Sequence, residues 1–335
     1  MRTLLIAAAC LCVVTLSRGF AQDAQSASNA ATAAAVQVNI DSYDFLSVNR
    51  ILMWLANNGA SSHNPITNGS GLHWPGESGV GIVFQDGLIW GGTVEGLIYI
   101  GGSTYRQGLQ AGNIAPDGWP TDPNDPRHRI YHLRNMGRAA FSRLDSAQQA
   151  RMRSDFMEWP DSIGAPFVDV DANGLYEPDF DAWLDDEDAS DHPFFAGEEI
   201  MWFVSNDLDY SRTTRLYGSA PLGVELHTFA WAGTQGPLLD NTVFVQYTMI
   251  NKGVEQIDDL RIARWSDPDL GAAFNDFVGV DTTLNIQYVY NEGATDLAFT
   301  NQYPAFGYVW PQTPVTPSPG AEADFGFGTR ADHAN

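Results

Sequence analysis

The stretch Val243-Phe244-Val245-Gln246-Tyr247-Thr248-Met249 sets Val243, Val245, Tyr247 and Met249 on one side of an extended chain and Phe244, Gln246 and Thr248 on the other. A side-chain period of two belongs to a strand with one buried and one wetter face. Downstream the pattern returns. Leu260 and Ile262 alternate with Arg261 and Ala263, and Leu284, Ile286, Tyr288 and Tyr290 alternate with Asn285, Gln287 and Val289. Asn251-Lys252-Gly253 reads as a turn between the first two of these strands. Upstream, residues 79–84, 88–90 and 94–100 are also β-like, punctuated by Gly91-Gly92 and Gly101-Gly102. No βαβ rhythm and no repeat of fixed period is present. Short strands joined by Gly, Asn and Asp turns predict a mainly β chain. The expected architecture is antiparallel and β-sandwich-like, with one or two short helices and long acidic loops.

The rest of the chain is arranged around these strands. Residues 45–56 form a short amphipathic segment with Leu46, Ile51, Leu52 and Leu55 as its apolar points, ended by Asn57-Asn58-Gly59. Pro and Asp crowd residues 115–126, an irregular loop. Residues 145–158 are the best helix, capped by Ser142 or Asp145 and stopped by Pro160. The expected divisions are a signal peptide at 1–21, a disordered leader at 22–40 and a β-rich region with its helix at 41–165. An acidic loop region at 166–200, a sandwich region at 201–310 and a Pro-rich tail at 311–335 follow. The last residues carry no pattern that closes a domain, so the chain reads as a piece of something longer.

The N-terminus predicts export. Arg2 supplies a positive start, residues 4–16 an apolar run too short to span a bilayer, and Gly19-Phe20-Ala21 the small residues before a cut after Ala21. A lipoprotein cut at Cys10 fits less well, because Ala7-Ala8-Ala9 precedes it. Both cysteines, Cys10 and Cys12, fall within this leader, so the mature chain has no disulfide, no thiol nucleophile and no thiolate metal site. The net charge is −24. Losing Arg2 and Arg18 makes the mature form more acidic still. Such a charge excludes nucleic acid and anionic membrane as partners and favours divalent cations. No second apolar segment is long enough for a transmembrane helix.

The sharpest local motif is Asp169-Val170-Asp171-Ala172-Asn173-Gly174-Leu175-Tyr176-Glu177. Oxygen ligands at alternate positions with glycine at the sixth make a calcium loop. Asp169, Asp171 and Asn173 offer side-chain oxygens, Leu175 its carbonyl, and Glu177 a further carboxylate. The match to an EF-hand then fails, since the twelfth position is Phe180 and Pro178 opposes an exiting helix. Asp179 or Asp181 closes the shell instead. A metal-free Asp/Asn/Gly turn is the alternative. Acidic residues are dense from Asp169 to Asp191, and no Lys or Arg occurs from Ser154 to Ser211. A second, weaker calcium site is expected at Asp267, Asp269, Asp276 and Asp281, beyond a predicted strand. The same residues also admit turn caps or a pair of catalytic carboxylates. His128 and His132 have zinc-like i, i+4 spacing, but the residues between them look extended. The arginines from Arg127 to Arg153 are expected to pair with the acidic surface. No HExxH, GxSxG, phosphate-binding glycine loop or dinucleotide fingerprint is present.

Several stretches together resemble a known group. They are Met53-Trp54 with Asn57-Asn58-Gly59, residues 84–92 (Phe-Gln-Asp-Gly-Leu-Ile-Trp-Gly-Gly) and residues 101–108 (Gly-Gly-Ser-Thr-Tyr-Arg-Gln-Gly). Trp159-Pro160 with Gly164-Ala165-Pro166, Ser205-Asn206-Asp207, residues 265–271 (Trp-Ser-Asp-Pro-Asp-Leu-Gly) and Pro304-Ala305-Phe306-Gly307-Tyr308 complete the set. In this order they resemble the uncharacterised large exported proteins of Bacteroidota- and Ignavibacteria-type bacteria, which often end in a type IX secretion sorting domain. The resemblance runs from about residue 47 to 319. It implies a cell-surface or released multidomain protein with β-sandwich modules, and it supplies no catalytic residues. The chain departs from the group in showing no sorting module.

The expected function is that of a non-catalytic extracellular or cell-surface β-protein, stabilised by Ca2+, with a structural, adhesive or glycan-contacting role. Its partners would be glycans or other cell-surface proteins. The alternative is an ancillary module of a secreted hydrolase acting on polysaccharide or protein.

Overall fold

The computed structural model describes residues 2–11, 41–291, 296, 298–299 and 304–312, the first of these segments by its backbone. The expected leader at 22–40 and most of the Pro-rich tail lie outside the described residues. The principal strands, in chain order, are β1 (Arg2–Leu11), β2 (Tyr43–Leu46), β3 (Leu52–Ala56), β4 (Gln85–Val94) and β5 (Leu97–Gly102). They continue as β6 (Tyr131–Arg134), β7 (Glu199–Asn206), β8 (Val224–Ala232), β9 (Thr242–Asn251) and β10 (Asp258–Asp267). The last are β11 (Asp276–Asp281), β12 (Ile286–Asn291) and β13 (Ala305–Val309). The longer helices are α1 (Ser146–Met157), α2 (Phe180–Asp185) and α3 (Tyr210–Tyr217).

The fold is mainly β and sandwich-like, as the alternation predicts. One nine-stranded sheet runs from the short strand Gln110–Ala111 through β7, β8, β9, β1, β13 and β12 to β11, with β6 also on β7. An eight-stranded sheet is built on β5, β4 and β3, with β10 paired to β4 and β2 to β3. All described pairings between these principal strands are antiparallel. The two sheets bury one core. Leu46, Met53, Trp74 and Trp90 from the first half join Met201, Phe203, Val243, Val245, Tyr247 and Met249 from the second. The two β regions therefore share a single hydrophobic interior.

β7 is buried along its whole length. Alternation explains why. Met201 and Phe203 enter the core between the sheets. Ile200, Trp202 and Val204 enter a second core with Met152 and Phe156 of α1 and Phe180 and Trp183 of α2. A strand covered on both faces reads as a continuous apolar run, not an alternation. The helices thus form a third layer on the outer face of the nine-stranded sheet.

α1 falls within one residue of its expected limits at each end. The Asp145 carboxylate accepts from the Ala147 and Gln148 amides, each at 2.9 Å, and the Gln148 side chain accepts from the Asp145 amide at 3.2 Å. This capping box satisfies N–H groups that a helix start leaves without partners. The amphipathic segment at 45–56 becomes the β2–β3 hairpin, with Phe45 opposite Trp54. Asn251-Lys252-Gly253 does turn, but β9 and β10 belong to different sheets and do not pair.

Candidate metal centre

The chain enters the acidic loop from Phe167–Val168, a short strand paired antiparallel with His192–Pro193. This pairing puts Asp191 beside the start of the loop. Ligand-bearing oxygens of Asp169, Asp171 and Asp191 lie within 4.8 Å of one another, and this is the one such group of three found among the described residues. Asp171 is exposed, Asp169 half-buried and Asp191 buried.

Backbone amides hold these carboxylates in place. Asp169 accepts from the Asn173 amide at 3.1 Å and the Gly174 amide at 2.7 Å. Asp171 accepts from the Asn173 amide at 3.2 Å and its side-chain amide at 3.0 Å. Asp191 accepts from the Val170 amide at 2.9 Å and the Glu177 amide at 3.0 Å. Gly174 sits at φ +82°, the left-handed bend that the motif assigns to its sixth position. A carboxylate oxygen that accepts one N–H keeps a lone pair for a cation. At 4.8 Å two carboxylates repel by about 1 kcal/mol in water and by roughly 3 kcal/mol at an effective dielectric of about 20. A divalent cation among the three would turn that repulsion into attraction.

The remaining expected ligands have other partners. The Asn173 Oδ1 accepts from the Leu175 amide at 2.7 Å, and the Asn173 Nδ2 donates to Glu177 at 2.7 Å. Asp179 caps α2, accepting from the Asp181 and Ala182 amides at 3.0 Å each. Asp181 pairs with Arg153 at 2.8 Å. The three-carboxylate group thus includes neither Asp179 nor Asp181, and Asp191 stands where one of them was expected. No local spacing rule finds Asp191, because strand pairing alone brings it to the loop.

The second acidic group does not form a comparable cluster of three carboxylates among the described residues. Asp267 accepts from the Tyr105 hydroxyl at 2.6 Å, a bond that pushes the phenol up to about 12. Asp276 accepts from the Leu270 amide at 2.9 Å and from Asn291 at 2.9 Å. Burial raises its pKa, and so do the nearby Asp296 and Asp269 charges. Burial also raises Asp269, helped by the Asp267 charge. Asp281 caps the turn at the far end of β11, accepting from the Thr283 and Leu284 amides. The sequence pattern does not reveal Asp296, which accepts from the Ala272 amide at 3.0 Å and from Asn291 at 3.2 Å. Gly271, at φ +78°, lets it approach: a Cβ there would stand 2.3 Å from its Oδ2.

Two buried ionic clusters are likewise invisible in the sequence. His132 lies on β6 between Asp44 (Nδ1–Oδ2 3.0 Å) and Glu199 (Nε2–Oε1 3.0 Å). Burial alone would lower the imidazole's pKa, but the two carboxylates outweigh it and raise it to about 9. The spacing to His128 has no metal meaning, since the His128 Nδ1 is 2.8 Å from the Asp122 carbonyl oxygen. In the main core, Arg264 pairs with Asp86 at 2.6 Å, and Asp86 also accepts from Ser62 at 2.9 Å and Tyr308 at 2.7 Å. The expected pairing of arginines with acids holds at Arg127, Arg129, Arg134, Arg138, Arg151 and Arg153.

Fold and site together define an acidic, mainly β protein with, among the described residues, one convergent group of three carboxylates. No family model matches the chain, and no curated protein or solved structure matches it either. Among the described residues no helix is long and apolar enough to cross a membrane.

Proposed function

We propose that this is a non-catalytic exported or cell-surface β-protein, stabilised by calcium bound at Asp169, Asp171 and Asp191, with a structural, adhesive or glycan-contacting role. The observation that carries the reading is the convergence of those three carboxylates within 4.8 Å, in a chain of net charge −24. Hard oxygen donors of this kind suit Ca2+, which takes six to eight oxygens. Asn173, Glu177 and the Leu175 carbonyl follow in the same loop and would supply further oxygens. The metal would link the loop to the strand that begins after Asp191, and so fasten the helical layer's edge. The leader at 1–21 and the resemblance to exported bacterial proteins support a place outside the cytoplasm. Exposed aromatic residues on β11 and β12 (Phe277, Tyr288 and Tyr290) offer surface for contact with a glycan or a protein.

Thermal melting of residues 22–335 with calcium and with chelator tests the proposal. Calcium at about a hundred times its Kd adds about 2.7 kcal/mol. The midpoint should rise by several degrees in the native chain and stay put in the Asp169→Asn/Asp171→Asn variant. Equal midpoints in calcium and chelator for the native chain would remove the calcium claim.

A further inference from the structure

The loop at residues 103–108 follows β5 and lies against α3. Asp209 caps α3, accepting from the Ser211 and Arg212 amides at 2.9 and 3.3 Å. The Arg212 guanidinium donates to the Leu109 carbonyl at 2.9 Å and to the Asp41 carboxylate at 2.8 Å. Gly108 lets loop and helix approach: a Cβ there would stand 2.1 Å from the Gly102 carbonyl oxygen and 2.8 Å from the Leu216 side chain. Here lies a cavity of about 430 Å3, lined by Tyr105 and Arg106 of the loop, by Ser211, Arg212 and Arg215 of α3, and by Asp41.

Acidic residues outnumber basic ones 41 to 17, so an arginine has no shortage of partners. Arg212 takes two, Asp41 and Asp209. Arg106 and Arg215 form no ion pair with any described carboxylate. The Arg106 Nη1 donates to the Arg215 carbonyl at 3.4 Å, which sets its guanidinium at the last turn of the helix. Two unpaired guanidinium groups on one cavity repel, and an anion held between them would relieve this. The planar fork of arginine fits an oxyanion with two parallel hydrogen bonds. Remote carboxylates count little at this site, because salt screens charges beyond about 8 Å.

The rest of the lining discriminates among anions. Asp41 spends Oδ1 on Arg212 and keeps its other oxygen as an acceptor. That carboxylate opposes a small, densely charged anion but accepts hydroxyl groups. The Ser211 Oγ, which donates to Asp209 at 2.7 Å, has lone pairs for a hydroxyl. Tyr105 is 55% exposed, and its ring is steadied by its hydroxyl on Asp267 and by Trp265 at 4.5 Å. An exposed ring held in place beside hydroxyl partners suits the C–H face of a sugar. We propose that this cavity binds an acidic sugar of a glycan. Its carboxylate or sulfate sits on Arg106 and Arg215, its ring against Tyr105, and its hydroxyls on Asp41 and Ser211. The inference rests on the glycan-contacting role proposed above, and gives that role a ligand class and a site apart from the calcium loop and from the aromatics of β11 and β12.

Titration calorimetry of the whole chain tests it, with tri-galacturonate, tri-glucuronate and a sulfated galactose trisaccharide as ligands. Neutral galactotriose and inorganic sulfate are the controls. At least one acidic trisaccharide should bind, and both controls should bind at least about tenfold more weakly. Arg106→Gln/Arg215→Gln should weaken the acidic sugar at least about tenfold and leave the melting midpoint in place, since neither arginine holds an ion pair. Tyr105→Ala should weaken it by about threefold to tenfold. Equal affinity in the native chain and the double arginine variant would overturn the proposal. So would sulfate binding as tightly as the sugars, the mark of a bare anion site. Acidic-sugar binding that survives the arginine changes but is lost in Tyr288→Ala/Tyr290→Ala would move the glycan to β11 and β12, so that the glycan-contacting role stands while this site falls. Heat from no saccharide at all would remove both.

Discussion

His132 should make this protein lose stability in mild alkali. Its side chain is 17% exposed and lies between Asp44 and Glu199, which are 12% and 0% exposed. The other charged groups facing the cluster are Arg134, on Glu199, Arg151, on Asp44, and Asp155, which accepts from the His132 amide. Both arginines stay charged from neutral pH through mild alkali. The folded pKa of His132 is raised to about 9 from 6.5. A raised folded value means stability that is fully present below pH about 6.5 and is lost as pH climbs through about 9. The gap corresponds to about 3 kcal/mol. Glu199 is held down at about 2, since His132 and Arg134 outweigh the burial that would raise it. Its contribution disappears on the acid side and does not overlap this window. Urea unfolding at pH 6 and pH 9.5 measures the effect. The native chain should lose about 3 kcal/mol between the two, and His132→Gln should start lower at pH 6 and then stay nearly level. An unchanged unfolding free energy in the native chain, or an equal slope in His132→Gln, would refute the reasoning.

Arg264→Met should destabilise the fold by about 3–5 kcal/mol in urea unfolding, because it leaves the fully buried Asp86 without its cation. Adding Asp86→Leu to Arg264→Met should recover part of that loss, and failure to recover any would argue against a charge effect. Asp145→Ala removes the acceptor of two backbone N–H hydrogen bonds at the start of α1 and should cost about 1 kcal/mol, read as a lower melting midpoint. Gly271→Ala sets a Cβ 2.3 Å from the Asp296 carboxylate at a left-handed φ, and should cost on the order of 1–3 kcal/mol.

The sequence made half-buried β9 legible and hid fully buried β7, while β12 reads out of phase: Val289 is its buried residue, and Tyr288 and Tyr290, expected on the buried face with Leu284, are exposed. β9 shows its alternation because Phe244, Gln246 and Thr248 are less buried than their neighbours on the core side. β7 shows none, because α1 and α2 cover the face that would otherwise meet water. β2 and β3 read as one amphipathic segment, since strands of four and five residues are too short to establish a period. At the candidate site, the Asp169–Glu177 loop is legible because its ligands are local. Asp191 is not, because its approach depends on a strand pair between residues 167–168 and 192–193. The same holds for Asp86 with Arg264 and for Asp44 with His132 and Glu199, where partners far apart in sequence meet only in the folded core. Spacing motifs register neighbours along the chain, so charge clusters assembled by the sheets leave no trace in them.

Titration calorimetry of residues 22–335 with calcium chloride tests the account most directly. It predicts one saturable calcium site, weakened at least about tenfold by Asp191→Asn and unaffected by Asp281→Asn. No saturable heat, or the same affinity in native chain and Asp191→Asn, would contradict it.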